Sequence, residues 1–151
     1  MPPKFYLEAE SLSDLDVFVL TLFGEASAGD ILGAIGVGNV IMNRSQKRQL
    51  LVRAVCHQPL QFSCWNGSKG TGVERMRWAM KSLVAGDASP WLHELRWLAK
   101  GLLAGDVMDR THGAQHYLAV FLYDSPSRPP WAKKMQAVAT FGGHVFLKEM
   151  S

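Results

Sequence analysis

The sequence predicts an α+β fold that is mostly helical and carries a small antiparallel sheet. Three observations predict it: apolar residues at helical spacing in the N-terminal third, a Ser89-Pro90 helix start, and two apolar runs around Gly142-Gly143. A Gly-Gly pair between such runs marks a two-residue hairpin turn, which demands positive φ.

The first element is a helix ending near Glu25. Leu15, Phe18, Val19, Leu22 and Phe23 mark its buried stripe. Ser13 followed by Asp16 supplies its start, and Gly24 with Ala26–Gly29 its stop. A second helix runs from about Asp30 to Arg44, with Ile31, Ile35, Val40, Ile41 and Met42 as core positions. Gly33, Gly36 and Gly38 inside it each cost about 1 kcal/mol relative to alanine. Close approach of another element, the first helix, accounts for them and brings Asn43 and Arg44 near the same core. Leu50–Asn66 reads as mostly irregular, broken by Pro59. Helices follow near Val73–Ala85 and Pro90–Ala104, the latter capped by Ser89 and ended by Gly105. Asp106–Pro130 is loop-rich, and Ala137–Phe141 with His144–Leu147 forms the hairpin.

At 151 residues the chain is read as one domain with a real hydrophobic core. A content of 48% hydrophobic and 19% charged residues excludes a disordered chain. The net charge of +3 permits a polyanionic partner. Its basic clusters, Arg44/Lys47/Arg48/Arg53 and Arg128/Lys133/Lys134, are interrupted and read as solvated faces rather than a nucleic-acid groove. No apolar run is long enough to span a membrane, and the start lacks the apolar core of a signal peptide. The chain is therefore expected to be made in the cytoplasm. Cys56 and Cys64 allow either a loop-closing disulfide or two free thiols.

Glu25 is the leading candidate for chemistry. It falls seven residues after Phe18 and three after Leu22, along the buried side and at the negative end of its helix. Both placements disfavour the charged form, as a general acid requires. The alternative is a structural glutamate held by an arginine or backbone amides. Two-carboxylate glycosidase chemistry needs a second acid; Asp30 reads as a helix cap, and Glu94 has no assignable place. In Gln61–Asn66, Trp65 either walls a sugar site or plugs the core beneath a loop, while Phe62 reads as core. His112 and His116 have the spacing of helical metal ligands, but Gly113 argues against a helix and no His-Glu-x-x-His pattern occurs. No metal or other cofactor is expected. Cys56-His57 is a weak peptidase signal, because adjacent residues seldom face each other.

Several stretches occur in order: Leu22-Phe23-Gly24-Glu25-Ala26, Val40-Ile41-Met42-Asn43-Arg44, Gln61-Phe62-Ser63-Cys64-Trp65, Gly113-Ala114-Gln115-His116-Tyr117, Pro130-Trp131-Ala132 and Gly142-Gly143-His144-Val145-Phe146. Together they resemble the SleB-like cell-wall hydrolase family, the spore-cortex-lytic type of peptidoglycan glycosidase. The resemblance implies a lysozyme-like fold, similar to goose-type lysozymes and lytic transglycosylases, in which one glutamate dominates. That glutamate is Glu25, protonating the oxygen between N-acetylmuramic acid and N-acetylglucosamine. It further implies that Gln61, Ser63 and Trp65 line the glycan cleft. His116 and Tyr117 would lie opposite Glu25, with Tyr117 assisting catalysis and Trp131 also binding substrate. The family usually has threonine where this chain has Gln115. A compact, basic chain of this kind resembles a bacteriophage endolysin. It would act as a monomer on peptidoglycan after holin-type release into the periplasm, without nucleic-acid binding or membrane insertion; a virion-associated lysin is the near alternative.

Overall fold

The computed structural model describes residues 9–58, 62–65, 71–86 and 89–150. Its helices are α1 (Asp14–Glu25), α2 (Ile31–Arg48), α3 (Val52–Cys56), α4 (Thr71–Ala85) and α5 (Pro90–Ala104), with a 3-10 turn at Ser63–Trp65. Then come β1 (His116–Ala119), the short helices α6 (Val120–Tyr123) and α7 (Pro130–Lys133), and strands β2 (Met135–Phe141) and β3 (His144–Glu149). The α+β class and its helical majority are as the sequence predicts. No helix among the described residues is long and apolar enough to cross a membrane.

α1 is the axis of the fold. Ser13 caps it, its hydroxyl accepting from Asp16 N at 3.1 Å. Instead of one buried stripe, all residues from Val17 to Phe23 are buried. The reason is packing on every side, because α2, α3, α4, α5 and the 3-10 turn all contact this helix. Only its last residues, Gly24 and Glu25, regain partial exposure.

α2 starts where the Asp30 carboxylate accepts from Gly33 N at 2.9 Å. It runs four residues past Arg44 and ends at Gln49 in a left-handed conformation, φ 53°. Its glycines do admit close neighbours, but α1 is not the main one. A Cβ at Gly36 would meet the rings of Phe146 and Phe141, and one at Gly38 would meet Leu102. The β-hairpin and α5 therefore approach α2 here. Ile31, expected in the core, is 39% exposed on the first turn.

Leu50–Asn66 is less irregular than its composition suggests, since α3 and the 3-10 turn both lie in it. α5 has the expected bounds, with Ser89 as N-cap and Gly105 at φ 78° as C-cap. The hairpin also forms as expected, with Gly142 and Gly143 at φ 57° and 74°. Within the loop-rich stretch, β1 pairs antiparallel with β3, giving the order β1-β3-β2. The register opposes Tyr117 to Phe146. Between Ala137 and Ala139 a bulge shifts the β2–β3 register.

Candidate active site

The C-terminal end of α1, the C-terminal third of α2, the sheet and α7 meet around one open cleft of about 620 Å³. Gly24, Glu25, Arg44, His116, Tyr117, Leu118, Ala119, Trp131, Met135 and His144 line it. Its size lies within the roughly 300–1,000 Å³ typical of ligand sites. Among the described residues, Glu25 is the one carboxylate in this lining.

Glu25 is half-buried, and the Tyr117 hydroxyl donates to its Oε1 at 2.6 Å. Burial, then the adjacent Glu25 charge and this hydrogen bond, hold the Tyr117 phenol well above its ordinary range. Tyr117 is thus a fixed proton donor to the carboxylate at neutral pH. Cys64 packs beneath the pair. A Cβ on Gly24 would lie 2.8 Å from Cys64 Sγ and 2.9 Å from Met76 Sδ, so only glycine fits before Glu25. Burial and then the Glu25 charge push the Cys64 thiol up, while burial pushes Cys56 up to about 12. Both cysteines are free. Thiols kept protonated in this way are poor nucleophiles, which removes support for a peptidase reading.

Arg44 is only 4% exposed, in keeping with its expected place near the core and contrary to the solvated face read for its basic cluster. Its Nε donates to the Gln115 carbonyl at 2.6 Å, and its guanidinium lies 5.2 Å from the centroid of the Phe62 ring. Burial and then the Arg48 charge lower it to about 10, so it stays cationic at neutral pH. Because the bond to Gln115 uses a backbone carbonyl, a threonine there would serve it equally. Asn43 anchors the loop leading to β1, donating to Ala114 O at 2.9 Å and Asp109 Oδ2 at 3.1 Å. Desolvation opposes the charge on Asp109. Its hydrogen bonds from Thr111, Gly113 and Asn43 prevail and hold its carboxyl below the ordinary value.

Three aromatic rings complete the wall. His116 lies 6.0 Å from Trp131, and His144 sits edge-on to Tyr117 at 5.0 Å, both as ring-centroid distances. Desolvation, followed for His116 by the Arg44 charge, lowers both imidazoles. Asp30 and Glu25 oppose the shift at His144 without reversing it. Both rings are therefore neutral at pH 7.

The structure brings Glu25, Tyr117, His116 and Trp131 together, as the resemblance implies. Trp65 is placed elsewhere. It is 2% exposed, and its indole donates to Thr21 Oγ1 at 2.8 Å inside the core, so the exposed indole of the cleft is that of Trp131, at 42%. Gln61 and the side chain of Ser63 lie outside the described residues. His112, at φ 53°, and Gly113 form a turn rather than a helix, and no group of three metal-ligating side chains occurs among the described residues. Asp30 serves as the α2 cap, and Glu94 is exposed on α5. Sequence reasoning missed Arg44 and His144 as cleft residues. The signal was present for both, since each lies in one of the ordered stretches named above.

In comparisons with known proteins, a family model described as Cell Wall Hydrolase matches residues 29–147. Glu25 lies four residues before that span. No curated protein and no solved structure matches the chain.

Proposed function

The chain belongs to the cell wall hydrolase family, and from that premise we propose that it is a peptidoglycan glycosidase using Glu25 as its acid. The bond cut is the β-1,4 link between N-acetylmuramic acid and N-acetylglucosamine. One observation carries the reading: a lone carboxylate at the end of a buried helix, facing an open cleft, with a tyrosine hydroxyl 2.6 Å from one of its oxygens. The Tyr117 hydroxyl donates to Oε1 and fixes the carboxyl group, which delivers its proton to the glycosidic oxygen. As that bond breaks, positive charge grows at the anomeric carbon and the carboxylate left behind lies beside it. Trp131 offers a flat apolar face to a sugar ring, and His116 and Arg44 offer polar edges beside it. The buried central helix ending in the acid, opposite a small sheet, supports a lysozyme-like architecture acting as a single catalytic domain.

The absence of a second carboxylate from the lining among the described residues favours a lytic transglycosylase over a hydrolytic muramidase. With no second carboxylate to activate water, Glu25 itself takes the proton from the muramic C6 hydroxyl as that oxygen closes on the anomeric carbon. The product then carries a 1,6-anhydro end. Mass spectrometry of released muropeptides tests this, because anhydro ends are one water lighter than reducing ends. Reducing ends alone would assign the enzyme to the muramidases. Glu25→Gln should abolish the clearing of permeabilised Gram-negative cells; a variant that clears them at the wild-type rate removes Glu25 from catalysis. The compact, basic chain fits a phage endolysin, and clearing of an expressing culture only when a holin is co-expressed would support that role. Recovery of the protein in washed phage particles would favour the virion-associated one.

A further inference from the structure

We propose that α4 and α5 form a second binding site, distant from the cleft, that takes the side-peptide carboxylates of peptidoglycan strands. A cavity of about 520 Å³ lies between the last turn of α4 and the outer face of α5, lined mainly by Leu83, Val84, His93, Arg96, Trp97 and Lys100. The last four recur at i, i+3, i+4 and i+7 and share one helix face. Leu92, Leu95, Leu98, Ala99 and Leu102 occupy the other face and are buried. Trp97 is 71% exposed and Val84 68%. An indole left this far in water is large apolar area that packing within the described residues does not use.

The charge of the cavity selects its occupant. Among the described residues its lining holds Arg96 and Lys100 and no carboxylate. One Arg96 nitrogen pairs with Asp16 at 3.2 Å, which fixes the guanidinium. The carbonyl end of α4 adds roughly half a negative charge. Among the described residues, two cations against one carboxylate and that half charge leave the cavity net positive. A flat indole beside fixed cations suits a sugar ring bearing acidic substituents. The substrate proposed above has this chemistry, since its strands carry peptides ending in free carboxylates; the inference rests on that reading.

The position is that of a tether. Asp16, which holds Arg96, and Glu25 lie at opposite ends of α1, about 13 Å apart along the axis. A polymer engaged at the cleft reaches the second site without leaving the first, which raises its effective concentration there. The site therefore governs retention on the wall, while turnover of short fragments stays in the cleft.

Co-sedimentation with purified peptidoglycan sacculi tests this, with Glu25→Gln as background so that the sacculi persist. Trp97→Ala and Lys100→Glu should each weaken binding about five- to tenfold, equivalent to roughly 1–1.4 kcal/mol, and the wild-type site should weaken as salt rises. Sacculi whose peptide carboxylates are amidated with a carbodiimide and a neutral amine stay cross-linked and sedimentable, and should bind the unaltered site as weakly as intact sacculi bind Lys100→Glu. With Glu25 restored, Trp97→Ala should cleave a short soluble glycan at the wild-type rate. Unchanged sacculus binding in both variants overturns the proposal. So does equal binding to amidated and intact sacculi, or a loss seen on lipopolysaccharide vesicles and not on sacculi. A catalytically active Glu25→Gln would instead refute the catalytic reading and leave these binding results standing.

Discussion

Gly36 and Gly38 sit two residues apart in α2, yet their alanine variants should behave differently. Each substitution gains about 1 kcal/mol of helix propensity. At Gly36 the new Cβ would overlap Phe146 Cζ, with Phe146 Cε1 at 2.8 Å and Phe141 Cε2 at 3.0 Å. Phe146 is fully buried and stacked on Phe141, centroids 4.6 Å apart, so its ring moves only if β3 moves. Overpacking against such a neighbour costs about 3 kcal/mol, the upper part of the usual range. The net loss is about 2 kcal/mol, which lowers Tm by about 4–8 °C for a chain of this size. At Gly38 the Cβ meets only Leu102 Cδ1 closely, with the next atom 3.6 Å away. A rotamer adjustment of about 1 kcal/mol there cancels the helix gain. Thermal melts of both variants by circular dichroism measure the contrast. Equal melting temperatures would refute the packing of the hairpin onto α2.

Other outcomes follow from single groups. Tyr117→Phe removes the donor 2.6 Å from Glu25; a hydrogen bond to a charged group is worth about 1.5–3 kcal/mol, so kcat on a soluble glycan should fall roughly 10- to 100-fold with little change in KM. An unchanged kcat rejects the pairing. Asn43→Ala releases Asp109, Thr111 and the Ala114 carbonyl from α2, and urea unfolding should show a loss of about 1–3 kcal/mol. Burial and then Arg53 lower His57 to about 4, below its unfolded value of about 6.5. The unfolded chain therefore takes up the proton first as pH falls. Stability is complete above pH 6.5 and declines towards pH 4, by about 1–3 kcal/mol at this site after discounting its partial exposure. His57→Gln should flatten that decline, and urea titrations at pH 7 and 4.5 with equal slopes for both proteins would exclude His57 as its source.

What the sequence discloses depends on whether a feature is local. The Ser13 and Ser89 caps, the Gly105 stop and the Gly142-Gly143 turn are set by neighbouring residues, and each stands where the pattern puts it. β1 is four residues long and owes its form to pairing with β3, which no local pattern encodes. Trp65 shows the same limit. Its neighbours suit a sugar wall, but Thr21, 44 residues earlier, supplies the acceptor that holds the indole inside. Arg44 belongs to a run of basic residues that reads as a solvated face, while the glycines of its helix put it near the core; the Gln115 carbonyl is the partner that its burial needs. Glu25 was legible because its own helix is apolar up to its last turn.

Glu25 and Tyr117 are 92 residues apart, and their 2.6 Å contact needs something to set the distance between α1 and the sheet. α2 does so at two points. Near its start, a Cβ on Gly142 would lie 2.6 Å from Gly33 Cα, so the hairpin turn presses directly on the helix backbone. Ten residues further on, about 15 Å along the axis, Asn43 and Arg44 grip the carbonyls of Ala114 and Gln115, immediately before β1. A sheet held at one point can pivot; held at two, it cannot. On the catalytic reading proposed above, both glycines and Asn43 would act through the position of Tyr117, without lining the cleft themselves. Gly142→Ala or Asn43→Ala should lower kcat in a protein whose acid and donor are chemically unchanged. Adding Tyr117→Phe to either variant should then cost much less than it does in the wild type, because the hydrogen bond it removes is already displaced. Full additivity in that cycle would mean that α2 supports the fold without setting the contact.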